Sequence, residues 1–321
     1  MENSFDKYRI IPQYSEVISR NDCTPFYWRA TFCKYNCTPL IPANMDTISG
    51  EQMVQFYLKN GGCGILHRYI PLKDLKGIVH RLAIYSTPFF ISVGSIFNDK
   101  ERIDLAIKLS NKYEEVNICV DLAHGHSLHM KETLSYIKNK CIYTMAGNVV
   151  TPEGAKDLHS WGAYYVKVGI GQGSVCETTL RTGVGYPQMD ALIKINQECP
   201  NIKIISDGGI QKPADYCKAM AIPTVIAVMA GGIFAGTDMT PNWKPYEPCK
   251  YRGMASKGAK ESIGENDTYI EGTEILVPSK GPGSTKAVFD EYTAALQSAM
   301  SYSNARNLVE YKEKVKLEKI Q

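Results

Sequence analysis

The sequence has no long apolar run and no excess of one charge. No apolar segment approaches the ~18 residues that cross a bilayer, and none follows the first charges at the N-terminus, so we expect neither membrane insertion nor secretion. The 36 lysines and arginines nearly balance the 33 aspartates and glutamates and are scattered along the chain. A nucleic-acid partner is therefore disfavoured, and a cytoplasmic protein is expected.

The cysteine pattern indicates neither a disulfide framework nor a metal site. Ten cysteines are spread over 321 residues, and Cys63, Cys119 and Cys141 lie inside apolar runs, so buried free thiols are the favoured interpretation. Cys33 and Cys37 have a spacing that some zinc sites use. No second Cys/His pair at ligand spacing follows them, which leaves zinc as the disfavoured alternative.

Short apolar runs recur along the chain and alternate with amphipathic stretches at 99–114, 127–140 and 187–198. This alternation requires parallel strands with right-handed crossovers. Eight such units close a (β/α)8 barrel, which we predict as a single catalytic domain over residues 1–321; an open doubly wound sheet is the alternative. The runs begin at Thr38, Gly62, Phe89, Asn117, Cys141, Tyr164, Lys203 and Thr224.

The pattern breaks after the eighth run. Residues from about 240 to 284 are rich in Pro, Gly, Lys and Glu, which is typical of a long excursion that covers an active site as a flap. Residues 285–300 have the pattern of the last barrel helix. The remainder, about 304–321, is predicted to be a charged, mobile tail.

The most informative stretch is GIGQGSVCETT, at 169–179. It follows the apolar run YYVKV, and its glycines allow the backbone to turn tightly and approach a ligand. The other runs also finish in small or polar residues, and in a barrel those ends meet at one mouth. Cys176 is therefore the candidate reactive group at the end of a barrel strand.

Many motifs have the order and composition of one family of purine-nucleotide enzymes. They are ANMDT at Ala43, DLAHGHS at Asp121, AGNVVT at Ala146, VKVGIGQGSVC at Val166, TGVGYPQ at Thr182, ISDGG at Ile205, MAGGIFAGT at Met229, YRGM at Tyr251 and EGTEILVPSKG at Glu271. Through them the chain resembles the inosine monophosphate dehydrogenase and GMP reductase family over nearly its whole length. The resemblance implies the same barrel.

The resemblance assigns catalytic roles to three residues. Cys176 is similar to the family's nucleophile, which bonds to C2 of the purine, and local positive potential from loop N–H groups would favour its thiolate. Thr178 corresponds to the threonine that assists the group leaving or attacking at C2. Glu271 corresponds to the residue that handles protons near N1 and the exocyclic group; a solvated flap carboxylate is the alternative.

The resemblance also implies a binding site for a purine mononucleotide. Asp207 matches the carboxylate that accepts both ribose hydroxyls, and Gly253 and Met254 match positions that contact the base. The expected 5′-phosphate cradle suits a dianion held by N–H groups after late barrel strands. It comprises Ser174, Gly209, Gly231, Gly232 and Tyr251.

A nicotinamide cofactor is implied because no side chain carries a hydride. Asp121 and Asn148 match residues that line its site. The backbone carbonyls of Gly169, Gly171 and Cys176 resemble the family's monovalent-cation site, so potassium is expected. By resemblance alone, the chain is expected to form a homotetramer.

Other residues depart from the family pattern or have a second interpretation. Glu177 replaces a common threonine and Gln172 a common proline, which we expect to affect loop and flap movement. His124 and His126 could indicate a metal, but without further ligands at suitable spacing a positioning role is favoured.

Two activities fit the resemblance. An Arg-Tyr pair activates water in the dehydrogenase, and no arginine lies between Met254 and Glu271; the dehydrogenase's usual regulatory insertion after the second strand is also missing, since Arg68 leads directly into the next helix. NADPH-dependent deamination of GMP to IMP is therefore the predicted reaction. The alternatives are NAD-dependent oxidation of IMP by a minimal dehydrogenase, which the AHGHS and YRGM motifs and Arg68 favour, and a nucleotide-binding barrel without catalysis.

Overall fold

The computed structural model describes residues 3–26, 38–140, 143–264 and 269–320. Cys33, Cys37 and Cys141 lie outside these residues, so the interpretations of their thiols remain predictions. The other seven cysteines are free thiols, and Cys63 and Cys119 are buried as expected.

The described residues form strands and helices that we number in chain order. The strands are β1 (Tyr8–Ile11), β2 (Leu40–Pro42), β3 (Gly64–Leu66), β4 (Phe89–Val93), β5 (Val116–Asp121), β6 (Thr144–Val149), β7 (Tyr165–Val168), β8 (Lys203–Asp207), β9 (Val225–Ala230), β10 (Cys249–Arg252), β11 (Glu274–Val277) and β12 (Lys316–Lys319). The helices are α1 (Glu51–Lys59), α2 (Leu72–Ala83), α3 (Lys100–Lys112), α4 (Leu128–Ile137), α5 (Pro152–Trp161), α6 (Thr178–Thr182), α7 (Gln188–Glu198), α8 (Pro213–Met220), α9 (Lys257–Glu261), α10 (Ser284–Tyr302) and α11 (Leu308–Lys314).

Strands β2 to β9 form one parallel sheet in the order β2-β9-β8-β7-β6-β5-β4-β3. A parallel bridge between Thr38 and Gly62, just before β2 and β3, joins the two ends of this sheet. The architecture is therefore the predicted (β/α)8 barrel, and the open doubly wound sheet is excluded. All eight apolar runs correspond to its strands.

The barrel interior is filled by apolar side chains at its base and polar ones at its mouth. Ile65, Phe90, Met145, Tyr165 and Ile205 belong to one buried cluster, because alternate residues of each strand face inward. The helices cover the outer faces, so β4 and β7 are buried on both sides. The strands are thereby held rigidly, and the groups at their carboxyl ends share that support.

The predicted helices agree with α3, α4, α7 and α10 to within a few residues. The boundary at α4 has a local cause, since the Ser127 hydroxyl accepts a hydrogen bond from the N–H of Met130 and so caps the helix. No helix among the described residues is long and apolar enough to span a bilayer.

Beyond the eighth barrel strand, β10 and β11 form an antiparallel hairpin outside the barrel. Tyr251 pairs with Ile275 in its register. The hairpin and α9 lie within the segment predicted to be a flap, and they bring Gly253, Met254 and Glu271 to the mouth of the barrel.

The C-terminal residues differ from the mobile tail that was expected. α11 buries Leu308 and Tyr311, and β12 pairs antiparallel with β1. The ammonium of Lys312 also donates to the carbonyls of Pro223 and Val225, at 3.1 and 2.6 Å. The high charge of this segment obscured an apolar helix face that docks on the barrel.

Candidate active site

The sequence-predicted site residues meet around one cavity of about 790 Å³ at the carboxyl ends of the barrel strands. These residues therefore share one location, while the role of each residue remains a prediction. The cavity is lined by Asp121, Asn148, Gly169, Gly171, Ser174, Cys176, Thr178, Asp207, Gly209, Gly231, Gly232, Tyr251, Gly253, Met254 and Glu271.

The loop that carries Cys176 turns sharply as it leaves β7. Gly169 and Gly171 have φ values of +147° and +80°, which disfavour any residue with a Cβ. A Cβ on Gly171 would lie 1.9 Å from the Thr179 hydroxyl oxygen. This tight turn places the thiol of Cys176 so that it donates to Thr178 Oγ1 at 3.4 Å.

The flap is hydrogen-bonded directly to the loop that carries Cys176. The N–H of Glu177 donates to the carbonyl of Glu271 at 2.8 Å, and the N–H of Thr273 donates to the carbonyl of Val175 at 3.0 Å. A Cβ on Gly253 would lie 2.8 Å from that same Val175 oxygen. The close approach of these backbones brings Glu271 and Cys176 to one wall of the cavity.

Four of the five residues expected at the 5′-phosphate, namely Ser174, Gly231, Gly232 and Tyr251, form a compact group. The hydroxyl oxygens of Ser174 and Tyr251 lie 3.1 Å apart. A Cβ on Gly232 would lie 3.1 Å from the Ser174 oxygen, and one on Gly231 would lie 3.2 Å from the Tyr251 oxygen. Burial raises the pKa of Tyr251, so its phenol stays protonated and can donate to a phosphate.

A buried ion cluster forms the floor of the cavity. The ammonium of Lys167 lies 2.6 Å from Asp121 Oδ1 and 3.2 Å from Asp207 Oδ2. Burial favours the neutral amine, but the two carboxylates outweigh it and raise the pKa of Lys167. Burial likewise favours the protonated form of Asp121, but Lys167 holds the pKa of that carboxyl below its usual value. Lys167 and Asp121 are therefore both charged at neutral pH.

Asn148 connects the residues expected at the cofactor to those expected at the substrate. Its amide donates to the carbonyl of Gly169 at 2.7 Å and to Asp207 Oδ2 at 2.8 Å. Its own oxygen, Oδ1, is buried and has no hydrogen-bond partner within the described chain. A buried acceptor without a partner is costly unless a ligand satisfies it.

Sequence reasoning missed several groups that line the same cavity, notably Lys167, Asn44 and Lys280. Lys167 lay inside a run treated as apolar. A lysine in a buried strand requires ionic partners, and that requirement was a usable signal. Asn44, at a strand end expected at the mouth, and Lys280 lay within the matched ANMDT and EGTEILVPSKG motifs, but neither was assigned a role in the site.

The two histidines of the AHGHS motif do not share one site. His126 Nε2 lies 2.8 Å from Asp157 Oδ2 in a partly exposed pair, whereas His124 is exposed. Across the described residues, no group of three or more His, Cys, Asp and Glu side chains could hold a metal ion.

The two departures from the family pattern in the loop that carries Cys176 both contact neighbouring structure. The Gln172 amide donates to the carbonyl of Tyr186 at 3.0 Å, and the Glu177 carboxylate pairs with the Arg181 guanidinium at 2.5 Å. Tyr269, on the flap, donates to the carbonyl of Arg181 at 2.9 Å. Glu177 therefore lies where the loop meets α6, next to a flap contact, whereas Gln172 contacts the segment that follows α6.

Comparison with known proteins matches the sequence to one family. The model of the IMP dehydrogenase / GMP reductase domain matches residues 2–321. The chain is 31% identical over 317 residues to a GMP reductase of Lactobacillus delbrueckii subsp. bulgaricus, covering 95% of this chain and 91% of that protein. It is 34% identical over 325 residues to a GMP reductase of Clostridium acetobutylicum, covering 96% and 93%.

A dehydrogenase is also similar, over a shorter region. The inosine-5′-monophosphate dehydrogenase of Chlorobaculum tepidum is 37% identical over 250 residues, covering 71% of this chain and 49% of that protein. The match of the domain model across nearly the whole sequence decides membership, and the chain belongs to the IMP dehydrogenase / GMP reductase family.

Proposed function

We propose that this protein is a GMP reductase, which converts GMP to IMP and ammonia at the expense of NADPH. The observation that carries the proposal is length and connectivity. The chain covers more than nine-tenths of the similar reductases but 49% of the similar dehydrogenase. β3 ends at Leu66 and α2 begins at Leu72, so the connection has no room for an inserted domain.

The cavity offers complementary groups for a purine mononucleotide. The hydroxyls of Ser174 and Tyr251, with the backbone around Gly231 and Gly232, suit the 5′-phosphate. Both protein donors that reach Asp207 do so at Oδ2, which leaves Oδ1 for the ribose hydroxyls. Gly253 and Met254 would then lie along the base.

The thiolate of Cys176 adds to C2 of GMP in this proposal. The C–N bond to the exocyclic amino group then breaks, and ammonia leaves after taking up a proton. Because an amine is a poor leaving group unless protonated, a general acid is needed. Glu271 is suited to that role because its backbone carbonyl accepts a hydrogen bond from the loop of Cys176, which holds the residue near the sulfur. Thr178 also lies beside the sulfur.

A reduced nicotinamide held beside Asn148 and Asp121 would supply a hydride to C2, where it would replace the C–S bond and return the thiolate of Cys176. The residues present fit such a group. Asn148 Oδ1 is an acceptor without a partner among the described residues and matches the N–H donors of a carboxamide. Asp121 lies beside it, held ionised by Lys167. Preference for NADPH over NADH is proposed from the family resemblance.

Three further properties are proposed on the same resemblance. Potassium would be held by the carbonyls of Gly169, Gly171 and Cys176, since neutral oxygen donors suit a hard cation. The Gly169 oxygen already accepts from Asn148 but keeps a second lone pair. The ion would stiffen the nucleophile loop. A homotetramer and a cytoplasmic location complete the proposal.

The second candidate is a dehydrogenase without its regulatory domain. The sequence identity to the Chlorobaculum tepidum dehydrogenase over the shared region, 37%, is higher than the 31% and 34% to the two reductases, and this favours the second candidate. Against it, the segment between Met254 and Glu271 contains no arginine, so no Arg-Tyr pair is present to activate water for hydrolysis.

Assays with both cofactors test these candidates. GMP with NADPH should give loss of the reduced-nicotinamide absorbance and an equal amount of ammonia. A gain of that absorbance with IMP and NAD+, without ammonia-forming activity, would instead establish the dehydrogenase. Nucleotide binding without turnover under either condition would establish a non-catalytic barrel.

A further inference from the structure

We propose that Lys167 is a positioning residue whose single ammonium links the two ligand sites, so that a bound purine nucleotide weakens binding of oxidised nicotinamide relative to reduced nicotinamide. The identities of the two ligands rest on the proposed function. The link itself follows from the arrangement of Lys167 between Asp207 and Asp121.

The ammonium of Lys167 is shared unequally among its acceptors. Three oxygens surround it: Asp121 Oδ1 at 2.6 Å, Asp207 Oδ2 at 3.2 Å and Asn44 Oδ1 at 3.5 Å. The Lys167 side chain is 1% exposed, whereas those of Asp121 and Asp207 are 18% and 17% exposed. The cation is therefore enclosed, while both carboxylates reach the cavity.

The stem of Lys167 is confined, so its ammonium stays within this cluster. A Cβ on Gly147 would lie 2.5 Å from Lys167 Cβ and 2.6 Å from its carbonyl oxygen. The neighbouring strand therefore packs tightly against the lysine backbone. The ammonium can still shift slightly between the two carboxylates. Because the charge is enclosed and little screened by water, such shifts change the electrostatic energy appreciably.

Ligand binding changes the competition for this ammonium. Ribose hydroxyls that donate to Asp207 reduce the negative charge that it offers to Lys167, and the ammonium then pairs more fully with Asp121. Asp121 is consequently less able to attract a cation. The oxidised nicotinamide ring is positively charged and the reduced ring is neutral, so only the oxidised form loses attraction. Such coupling is reciprocal between the two ligands.

The experiment measures binding in Cys176→Ala protein, in which the proposed covalent chemistry cannot occur. Affinities for NADP+ and NADPH are determined by calorimetry with and without saturating IMP. We expect IMP to lower the affinity for NADP+ relative to that for NADPH by about five-fold or more. If protein that retains Lys167 shows no such discrimination between NADP+ and NADPH, the proposal is overturned.

Two substitutions, each added to Cys176→Ala, test the assignment to Lys167. Lys167→Met keeps most of the length of the side chain but removes the charge, and Asp121→Asn keeps the lysine but removes one competing carboxylate. In both variants, the change that IMP causes in the affinity for NADP+ relative to that for NADPH should be less than about two-fold. Discrimination that persists in either variant contradicts the proposal. If Lys167→Met does not fold, Asp121→Asn alone decides.

Matched controls separate this role from a general structural one. Lys203→Met removes an ammonium that donates to the Tyr164 hydroxyl at 2.6 Å, at the opposite end of the barrel, and should leave the discrimination intact. Lys167→Arg retains the charge and should restore part of the discrimination.

If the GMP assay fails while the discrimination holds, the proposed function is wrong and this inference stands. The same measurements with NAD+ and NADH then apply.

Discussion

The barrel rim, by which we mean the carboxyl ends of strands β2 to β9 and the loops that follow them, supplies groups to the same cavity as the flap. The two regions support these groups differently. β7, which carries Lys167 and leads to Cys176, is buried at all four positions, whereas β11, which follows Glu271, is exposed at three of its four positions. A segment with few buried contacts opens at lower free energy than a packed strand. The rim is therefore suited to fixing the nucleotide and the nucleophile, and the flap to a step that needs closure.

The flap is nevertheless anchored on the rim beyond its hydrogen bonds to the loop that carries Cys176. The Arg252 guanidinium pairs with Asp46 on the loop after β2, with Nε 3.0 Å from Oδ2, and the Tyr69 hydroxyl donates to the carbonyl of Met254 at 3.1 Å. Arg252 and Asp46 are largely buried, so the pair is little screened by solvent. Changes at the rim should therefore abolish function, while changes on the flap should affect single steps.

The largest effect is expected at the rim, from Cys176→Ala. Without the nucleophile, turnover of GMP should fall by more than about a thousand-fold, while GMP binding measured by calorimetry should persist, because the phosphate and ribose contacts lie on other residues. Activity retained by this variant would refute the covalent mechanism.

The next effect is expected on the flap, from Glu271→Gln. Loss of a general acid should slow ammonia release by about 10²–10⁴-fold and affect the later reduction less. Single-turnover ammonia release, compared with the isotope effect of deuterated NADPH on turnover, distinguishes the two steps. The isotope effect should decline toward unity as deamination becomes limiting.

An exposed flap carboxylate provides the control for Glu271→Gln. Glu261→Gln alters a side chain of α9 that is 54% exposed and 3.7 Å from Lys257, and it should leave both steps unchanged. Equal slowing of both steps by Glu271→Gln would contradict the assignment of Glu271 to proton transfer and would weaken the contrast between rim and flap.

A smaller effect at the rim is expected from the sugar. Removing one hydroxyl that donates to the Asp207 carboxylate should cost about 1.5–3 kcal/mol, so 2′-deoxy-GMP should bind roughly ten-fold or more weakly than GMP. Asp207→Asn should reduce that preference. Equal affinities for the two nucleotides in unsubstituted protein would remove Asp207 from ribose recognition.

The smallest effect is expected on the outer face of the flap. Lys250 pairs with Glu274 at 2.8 Å, and their side chains are 48% and 33% exposed. Such pairs contribute about 0–1 kcal/mol, so Lys250→Met should change KM for GMP by less than about five-fold. High salt, which screens exposed pairs, should abolish the difference between the two proteins. A large change in kcat would show that the hairpin is as tightly coupled to the chemistry as the rim.

The order of strands and the location of the cavity could be predicted because both follow from local patterns. Each of the eight apolar runs is long enough for one buried strand, and parallel strands place their carboxyl ends at one mouth. The glycines around Cys176 were informative for the same reason, since a loop with φ values such as +80° at Gly171 needs them wherever it occurs. The family resemblance added the roles, which remain to be tested.

The docked C-terminus was not predictable in the same way. The residues after 304 are dominated by charge, and only their docking shows that Leu308 and Tyr311 are buried and that β12 completes a ribbon with β1. That pairing joins the two ends of the chain, and a contact between distant segments leaves no periodic signal in either one.

By itself the sequence determined that the chain alternates strand and helix, that a glycine-containing loop presents a thiol, and that a long excursion follows the eighth strand. Only the tertiary structure decided which charges meet. Barrel closure brings Asp121 from β5 and Asp207 from β8 to the ammonium of Lys167 on β7, and flap docking brings Glu271 to the loop of Cys176. Hydrophobic periodicity is a local property of the chain, whereas electrostatic interactions depend on distances that exist only after folding.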